Sequence, residues 1–241
     1  MRLGRRLLVL GGGLAVLPGS VRRAQAAQLS FAPTLLEAPA GPFTTTVDVT
    51  NQGGGETTIQ ARVLAWSQPE AGGDSLVPTE LVSLSPPAFR VPEGETQTIR
   101  LVFRTRDTGA EQAFRMLLDE VPEPRAGAGL QFALRVSLPV FVGSGGRAAD
   151  LQWQARRGDG RALAVIATNR GRRRIRVSRL TVTPAGGATI AGQLPEQLPY
   201  VLAGGFRRWT VPLARPIAAA SLRVDAETDG GPLSVTLPVE A

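Results

Sequence analysis

The sequence predicts an all-β protein built from two sandwich domains, and three observations predict it. Apolar and polar residues alternate along short runs, and each run closes on a Gly, Pro, Asn or Asp turn. No stretch carries the apolar period of an amphipathic helix. The pattern stops at Gly143-Ser-Gly-Gly146 and then restarts, which reads as a linker between two such units.

The first residues stand outside that pattern. Arg2, Arg5 and Arg6 give a basic start, Leu7 to Pro18 a glycine-interrupted apolar stretch, and Ala24-Gln25-Ala26 a small-x-small cleavage site. The apolar stretch is too short to span a bilayer. Residues 1–26 are therefore expected to be an export signal, with the mature chain beginning near Ala27. The fuller twin-arginine motif around Arg5-Arg6 is absent, which favours ordinary secretion.

In the first unit, residues 27–143, Thr44 to Thr50 is β-branched and stops at Asn51-Gln-Gly-Gly-Gly55. Thr57 to Trp66 alternates Ile59, Ala61, Val63 and Ala65 against polar partners. Val82 to Phe89 carries Ser85-Pro86-Pro87, and Val91-Pro-Glu-Gly94 turns into Thr96 to Arg104. After Asp107-Thr-Gly109 come Gln112 to Val121, a Pro/Gly-rich connection, and a last strand from Gly129 to Phe141. About seven strands at short spacing is the pattern of a Greek-key sandwich. The second unit, residues 144–241, repeats it on a smaller scale. Its runs are Leu151 to Trp153, Ala162 to Thr168, Ile175 to Val182, Phe206 to Leu213, Leu222 to Ala226 and Leu233 to Val239, with a Gly158-Asp-Gly160 hairpin.

The strand from Gly129 to Phe141 is the most informative. Leu130, Phe132, Leu134, Val136 and Leu138 alternate with Gln131, Ala133, Arg135 and Ser137, so one face collects every large apolar side chain. Pro139 cannot donate to a central ladder and marks an edge or a strand end. A long apolar edge is an aggregation hazard. Either a neighbouring strand covers it, or it stays open for a partner strand to add to it.

Composition narrows the chemistry. The chain has no His and no Cys, and all 27 of its basic residues are Arg. Thiolate nucleophiles, Ser-His-Asp triads, Ser-Lys devices and most transition-metal sites are thereby excluded. The acids flank turns (Glu93, Glu95, Asp107, Asp159, Asp229) and suggest no paired-carboxylate cleft. Without disulfides, each domain must stand on its core alone. The net charge of +7 falls partly in the signal and is no argument for nucleic acid. A binder without metal or cofactor is expected, not an enzyme.

Several motifs of the first unit occur in a fixed order. They are Leu84-Ser-Pro-Pro87, Pro92-x-Gly94-x-x-Gln97-x-Ile-Arg100-Leu101, Glu111-Gln-x-Phe-Arg115, Asp119-Glu-Val-Pro122 and the strand into Leu138-Pro-Val-Phe141. In this the chain resembles the periplasmic pilus-assembly chaperones of the chaperone–usher pathway, and most closely the archaic branch serving Csu-type and spore-coat-protein-U-like pili. The second unit resembles them only in size and strand pattern.

That resemblance implies two immunoglobulin-like β-sandwich domains in an angled arrangement with an interdomain cleft, located in the periplasm. The implied partners are pilin-like subunits that lack their last strand and an outer-membrane usher; whether the free chain caps itself as a homodimer stays open. Leu130, Phe132 and Leu134 would plug the subunit's groove, with Val136 deeper toward the cleft. The better-known branches clamp the subunit's C-terminal carboxylate with a basic pair, which falls here at about Leu35 and Ser137 and is missing. The archaic branch implies Arg115 as the anchor, with Arg100 and Arg135 as supporting candidates. A guanidinium fork matches a carboxylate. Glu111 and Asp229 are the implied members of an interdomain ion-pair network, whose matching arginine is replaced near Phe141.

Other features take simpler readings. Arg157-Gly-Asp159 looks like an integrin tripeptide but reads as a hairpin turn. The run Arg170-Gly-Arg-Arg-Arg-Ile-Arg176 lacks interleaved aromatics and reads as a basic turn entering a strand. Trp66, Trp153 and Trp209 read as core residues. The rival function from another class is a secreted two-domain structural or carbohydrate-binding surface protein, which requires the long strand to be covered within the chain.

Overall fold

A computed structural model describes residues 28–53, 55–70, 73–122, 133–158, 162–191, 200–213 and 219–240. Every regular element among them is a strand. The first domain carries β1 (Leu29–Ala32), β2 (Leu36–Ala38), β3 (Pro42–Asn51), β4 (Thr57–Ser67) and β5 (Ser75–Pro78). It continues with β6 (Val82–Ser85), β7 (Ala88–Val91), β8 (Thr96–Arg104), β9 (Gln112–Val121) and β10 (Arg135–Val142). The second carries β11 (Leu151–Arg157), β12 (Ala162–Asn169), β13 (Ile175–Pro184) and β14 (Ile190–Ala191). Its remaining strands are β15 (Tyr200–Val201), β16 (Phe206–Pro212), β17 (Ser221–Thr228) and β18 (Gly231–Glu240).

The first domain is a sandwich of two sheets, β1-β3-β8-β6 and β2-β10-β9-β4-β5, with β7 also paired to β4. Alternation decides what lies between them. Val47, Val49, Ile99, Leu101 and Phe103 point inward from one sheet to meet Ile59, Ala61, Val63, Phe114, Met116 and Leu118 of the other. Each of these side chains other than Ala61 contributes about 1.5–3 kcal/mol by leaving water. The run Val82 to Phe89, read from the sequence as one strand, is two. Ser85-Pro86-Pro87 breaks the ladder, so β6 joins β8 in one sheet while β7 joins β4 in the other.

The second domain departs in detail from the separate sheets expected of a small sandwich. Its strands form one hydrogen-bonded series, β14-β13-β17-β18-β11-β12-β16, with β15 on β13. The join between halves is a short parallel pairing of Ala155 with Val239 and Arg156 with Glu240. The series folds over one core in which Leu163, Val165, Trp209 and Val211 meet Val177, Leu180, Val182 and Val224.

A third apolar cluster joins the domains: Trp66 and Phe141 from the first against Tyr200 and Leu202 from the second, with Ala113 packed beside them. The Phe141 and Tyr200 ring centres lie 5.2 Å apart, edge to face. Trp66 is thus buried between domains, while Trp209 lies in the second core with Trp153 stacked on it at 5.6 Å.

Candidate functional site

β10 pairs antiparallel with β9 along its whole length, from Arg135↔Asp119 to Val142↔Gln112. On its other side β2 covers only Val140 to Val142. Among the described residues, Arg135 to Pro139 therefore has one neighbour, and the last three residues have two. Among the described residues, the strand is an edge for five of its eight residues. Glu120 N–H donates to Leu134 O on the β9 side, and Gly143 N–H to Ala38 O on the β2 side, each at 2.8–2.9 Å. Antiparallel alternation then turns the backbone groups of Arg135 and Ser137, and the carbonyl of Pro139, toward the open side. Pro139 is not a strand end, as one of its two sequence readings had it. It sits inside β10 at an outward position, where no N–H is asked of it.

The apolar face of this strand grades from core to solvent. Val140 is fully buried, Leu138 is 4% exposed, Val136 is half-buried against the domain's own core, and Leu134 is 40% exposed. Val136, expected deeper toward the cleft than the plugs, is thus partly packed on its own domain's core. Leu130 and Phe132 lie outside the described residues.

Arg115 sits on β9 with its side chain on the outer face of the sheet, since Phe114 and Met116 on either side take the core. It is buried, with its guanidinium carbon 3.7 Å from the Trp66 ring centre. Its Nη1 donates to Ser137 Oγ at 3.2 Å, and Asp74 Oδ2 lies 3.7 Å from its Nη2. Burial pushes this guanidinium below its ordinary value; Asp74 opposes that push and Arg207 adds to it. The guanidinium therefore reaches Ser137 on the neighbouring strand.

Arg174 behaves differently. It enters from the second domain, lies 3.6 Å over the Phe141 ring centre, and pairs with both Glu111 and Glu37. Its backbone N–H donates to Glu111 Oε1 at 3.0 Å, and Glu111 N–H donates to Arg172 O at 2.8 Å. Burial works against its charge, but the bonds and charges of Glu37 and Glu111 outweigh it and hold the guanidinium above its ordinary value. The run Arg170 to Arg176 is thus not wholly a solvated turn: its middle closes the interdomain seam.

The remaining expected residues separate. Glu111 is buried in the seam, beside Arg174. Asp229 is not in that network: its described bonds stay in its own domain, where Oδ1 accepts from Arg176 N–H at 2.8 Å. Arg100 is exposed on β8, in the opposite sheet, because Ile99 and Leu101 beside it claim the core; this removes it from the Arg115 group. Arg135 shares the outer face of the β9–β10 sheet with Arg115, but it is exposed and pairs with Asp119, which also holds Arg62 at 2.6 Å.

Sequence reasoning missed Gln68, Asp74, Tyr200 and Arg207. Gln68 Nε2 donates to Tyr200 O and Asp74 Oδ1, each at 2.9 Å, and its Oε1 accepts from Leu202 N–H at 2.9 Å. Its backbone carbonyl accepts from Phe206 N–H at 3.1 Å. No local pattern could have revealed the contacts to Tyr200, Leu202 and Phe206, since those partners are more than a hundred residues from Gln68 in sequence.

Two β-sandwich domains docked across an arginine-bearing seam, the first with part of its last strand open on one side among the described residues, define an immunoglobulin-like two-domain build. Residues 28–143 match the family model of the pili and flagellar-assembly chaperone, PapD N-terminal domain. The first domain belongs to that family, which is one of chaperones and not of enzymes. The resemblance carried by its motifs therefore holds.

Solved structures agree in fold. The CsuC–CsuE chaperone–tip adhesion subunit complex from archaic Csu pili of Acinetobacter baumannii matches at 21% identity and TM-score 0.64, over 89% of this chain and 100% of that one. The Escherichia coli chaperone DraB matches at 20% identity and TM-score 0.54, over 89% and 97%. The Salmonella enterica SafA pilin–SafB chaperone complex matches at 20% identity and TM-score 0.55, over 88% and 98%. At these identities the likeness is one of fold. No curated protein sequence matches the chain.

Proposed function

We propose that this chain is a non-enzymatic periplasmic chaperone that binds pilin-like subunits by lending them β10 and then delivers them to an outer-membrane usher. The observation that carries the reading is the half-open β10 edge, continuous with an apolar face, in a domain of the pilus-chaperone family. A subunit lacking a strand exposes a groove and unpaired backbone groups together. A strand offering outward amides and alternate apolar side chains satisfies both. Residues 1–26 are then the export signal, and residues 27–143 and 144–241 the two domains. Arg115 is the anchor for the subunit's C-terminal carboxylate, because it lies on the open strand's own sheet and its charge is incompletely met. The branch this reading favours is the archaic one, and it needs no cofactor. In the free chain, a second copy meeting the same edge gives a self-capping homodimer.

Co-expression of the tagged chain with the pilin-like subunits encoded beside its gene, followed by pull-down, tests the reading. A soluble one-to-one complex, lost in Arg115→Ala, is expected. Subunits that remain insoluble and uncaptured with the intact chain would overturn it.

A further inference from the structure

The anchor is already occupied. Asp74, in the connection between β4 and β5, places Oδ2 3.7 Å from Arg115 Nη2, while its Oδ1 accepts from Arg207 Nη2 and Gln68 Nε2, each at 2.9 Å. Arg115 belongs to the first domain and Arg207 to β16 of the second. The arginine side chains are 4% and 10% exposed, whereas Asp74 is 28% exposed. Two withdrawn guanidinium groups thus share one carboxylate, which leaves an excess positive charge away from water. The Nε of Arg115, like that of Arg174, is buried with no hydrogen-bond partner among the described residues, so the two clusters differ in their count of carboxylates. The other interdomain cluster is balanced the opposite way, with Arg174 between Glu37 and Glu111. Of the two clusters, the one at Arg115 is short of a carboxylate.

We propose that Asp74 is an internal stand-in for the subunit's terminal carboxylate, and that Arg207 completes with Arg115 a two-arginine seat spanning both domains. The inference deepens the chaperone reading and rests on it. Asp74 is the group able to leave: it is the most exposed member and lies in a loop, while both arginines are fixed on strands. An arriving carboxylate replaces it one for one, so the exchange leaves the two buried guanidinium groups no worse matched than before. Asp74 is tethered, so its effective concentration at the seat is millimolar or higher, on the order expected for a short flexible connection. A free carboxylic acid cannot match that, whereas a subunit also held by the open strand can. The stand-in makes carboxylate capture conditional on strand pairing, and the second-domain arginine ties it to the interdomain arrangement.

The test titrates the full chain with N-acetylglycine, using N-acetylglycinamide as the uncharged control, and follows the arginine Nε resonances by nuclear magnetic resonance. The unaltered chain is expected to bind the acid weakly. Asp74→Asn should bind it about tenfold more tightly, a gain of about 1.4 kcal/mol, without binding the amide. Adding Arg207→Gln should remove the gain. An Asp74→Asn chain that binds no better, or a double variant that keeps the gain, overturns the proposal. Should Asp74→Asn fail to fold, the unaltered chain is titrated with co-expressed subunit. Movement of both the Arg115 and Arg207 resonances supports the seat, and movement of Arg115 alone overturns it. The two readings fail separately. Subunit capture that is equal in the unaltered, Asp74→Asn and Arg207→Gln chains sinks the seat and leaves the chaperone. Acid binding that follows the predicted pattern, with no subunit ever captured, supports the seat and sinks the chaperone.

Discussion

The guanidinium carbon of Arg174 lies 3.6 Å from the ring centre of Phe141, so the second domain grips the first at the covered end of the strand whose other end is open. The same guanidinium pairs with Glu111, and both side chains are almost wholly buried. The seam is therefore ionic as well as apolar, and its strength depends on both charges staying matched.

Breaking that match is costly. Arg174→Ala leaves Glu111 buried and unpaired, which costs about 3–5 kcal/mol in comparable cases. A combined Glu111→Gln, Arg174→Met chain removes both charges and should recover most of the loss. Urea unfolding of the three chains measures it, and equal losses in the single and double variants would contradict the account.

Leu134 and Leu138 lie on one face of one strand segment, but at opposite ends of its burial gradient. Leu134→Asp should leave stability within about 0.5 kcal/mol while weakening subunit capture by about 1.5–3 kcal/mol if the side chain is buried in the complex. Leu138→Asp should instead unfold the first domain. Thermal melting beside a capture titration separates the two.

Asp119 carries an acid-side prediction. Burial resists its charge, but the Arg135 hydrogen bond, Arg62 and the Arg135 charge outweigh that and hold its carboxyl below the usual range. A depressed folded value means the stabilisation is fully present above the ordinary aspartate value of about 3.9. It is lost as the pH falls through the lower folded value. Asp119→Asn should therefore flatten the acid limb of the stability profile and leave its slope near neutrality unchanged. Urea melts across the acid range measure this.

Gly205, in the second domain, lies close against Gln68 of the first. A Cβ there would stand 2.8 Å from Gln68 Oε1 and 2.9 Å from Leu202 O. Gly205→Ala should cost about 1–3 kcal/mol. Hydrogen exchange should quicken first at the Leu202 and Phe206 amides, which bond to Gln68 across the seam. Faster exchange spread evenly over both cores would argue against a seam effect.

Strands β3, β4, β8, β9, β12, β13 and β17 were legible because each has one core face and enough residues to show the alternation. β2, β14 and β15 are two or three residues long and show no period. Arg115 was legible through its motif, yet its surroundings were not, because Asp74 and Arg207 reach it through tertiary contacts. Arg174 was misread because a dense arginine run looks solvated, and only the fold brings Glu111 to it from 63 residues away. Arg100 shows the converse. Its motif lies near Arg115 in sequence, but strand pairing assigns it to the other sheet.

Pro139 and Leu36 together act as a ruler. On the proposed strand addition, a guest laid along the side of β10 that is open among the described residues can extend past Arg135 and Ser137, but the next place is filled, because Leu36 pairs with Val140. Whatever its sequence, the guest must halt or swerve there, opposite the level at which Arg115 pairs with Pro139. On the proposed reading, that barrier therefore sets one limit on how much foreign backbone the strand can take up.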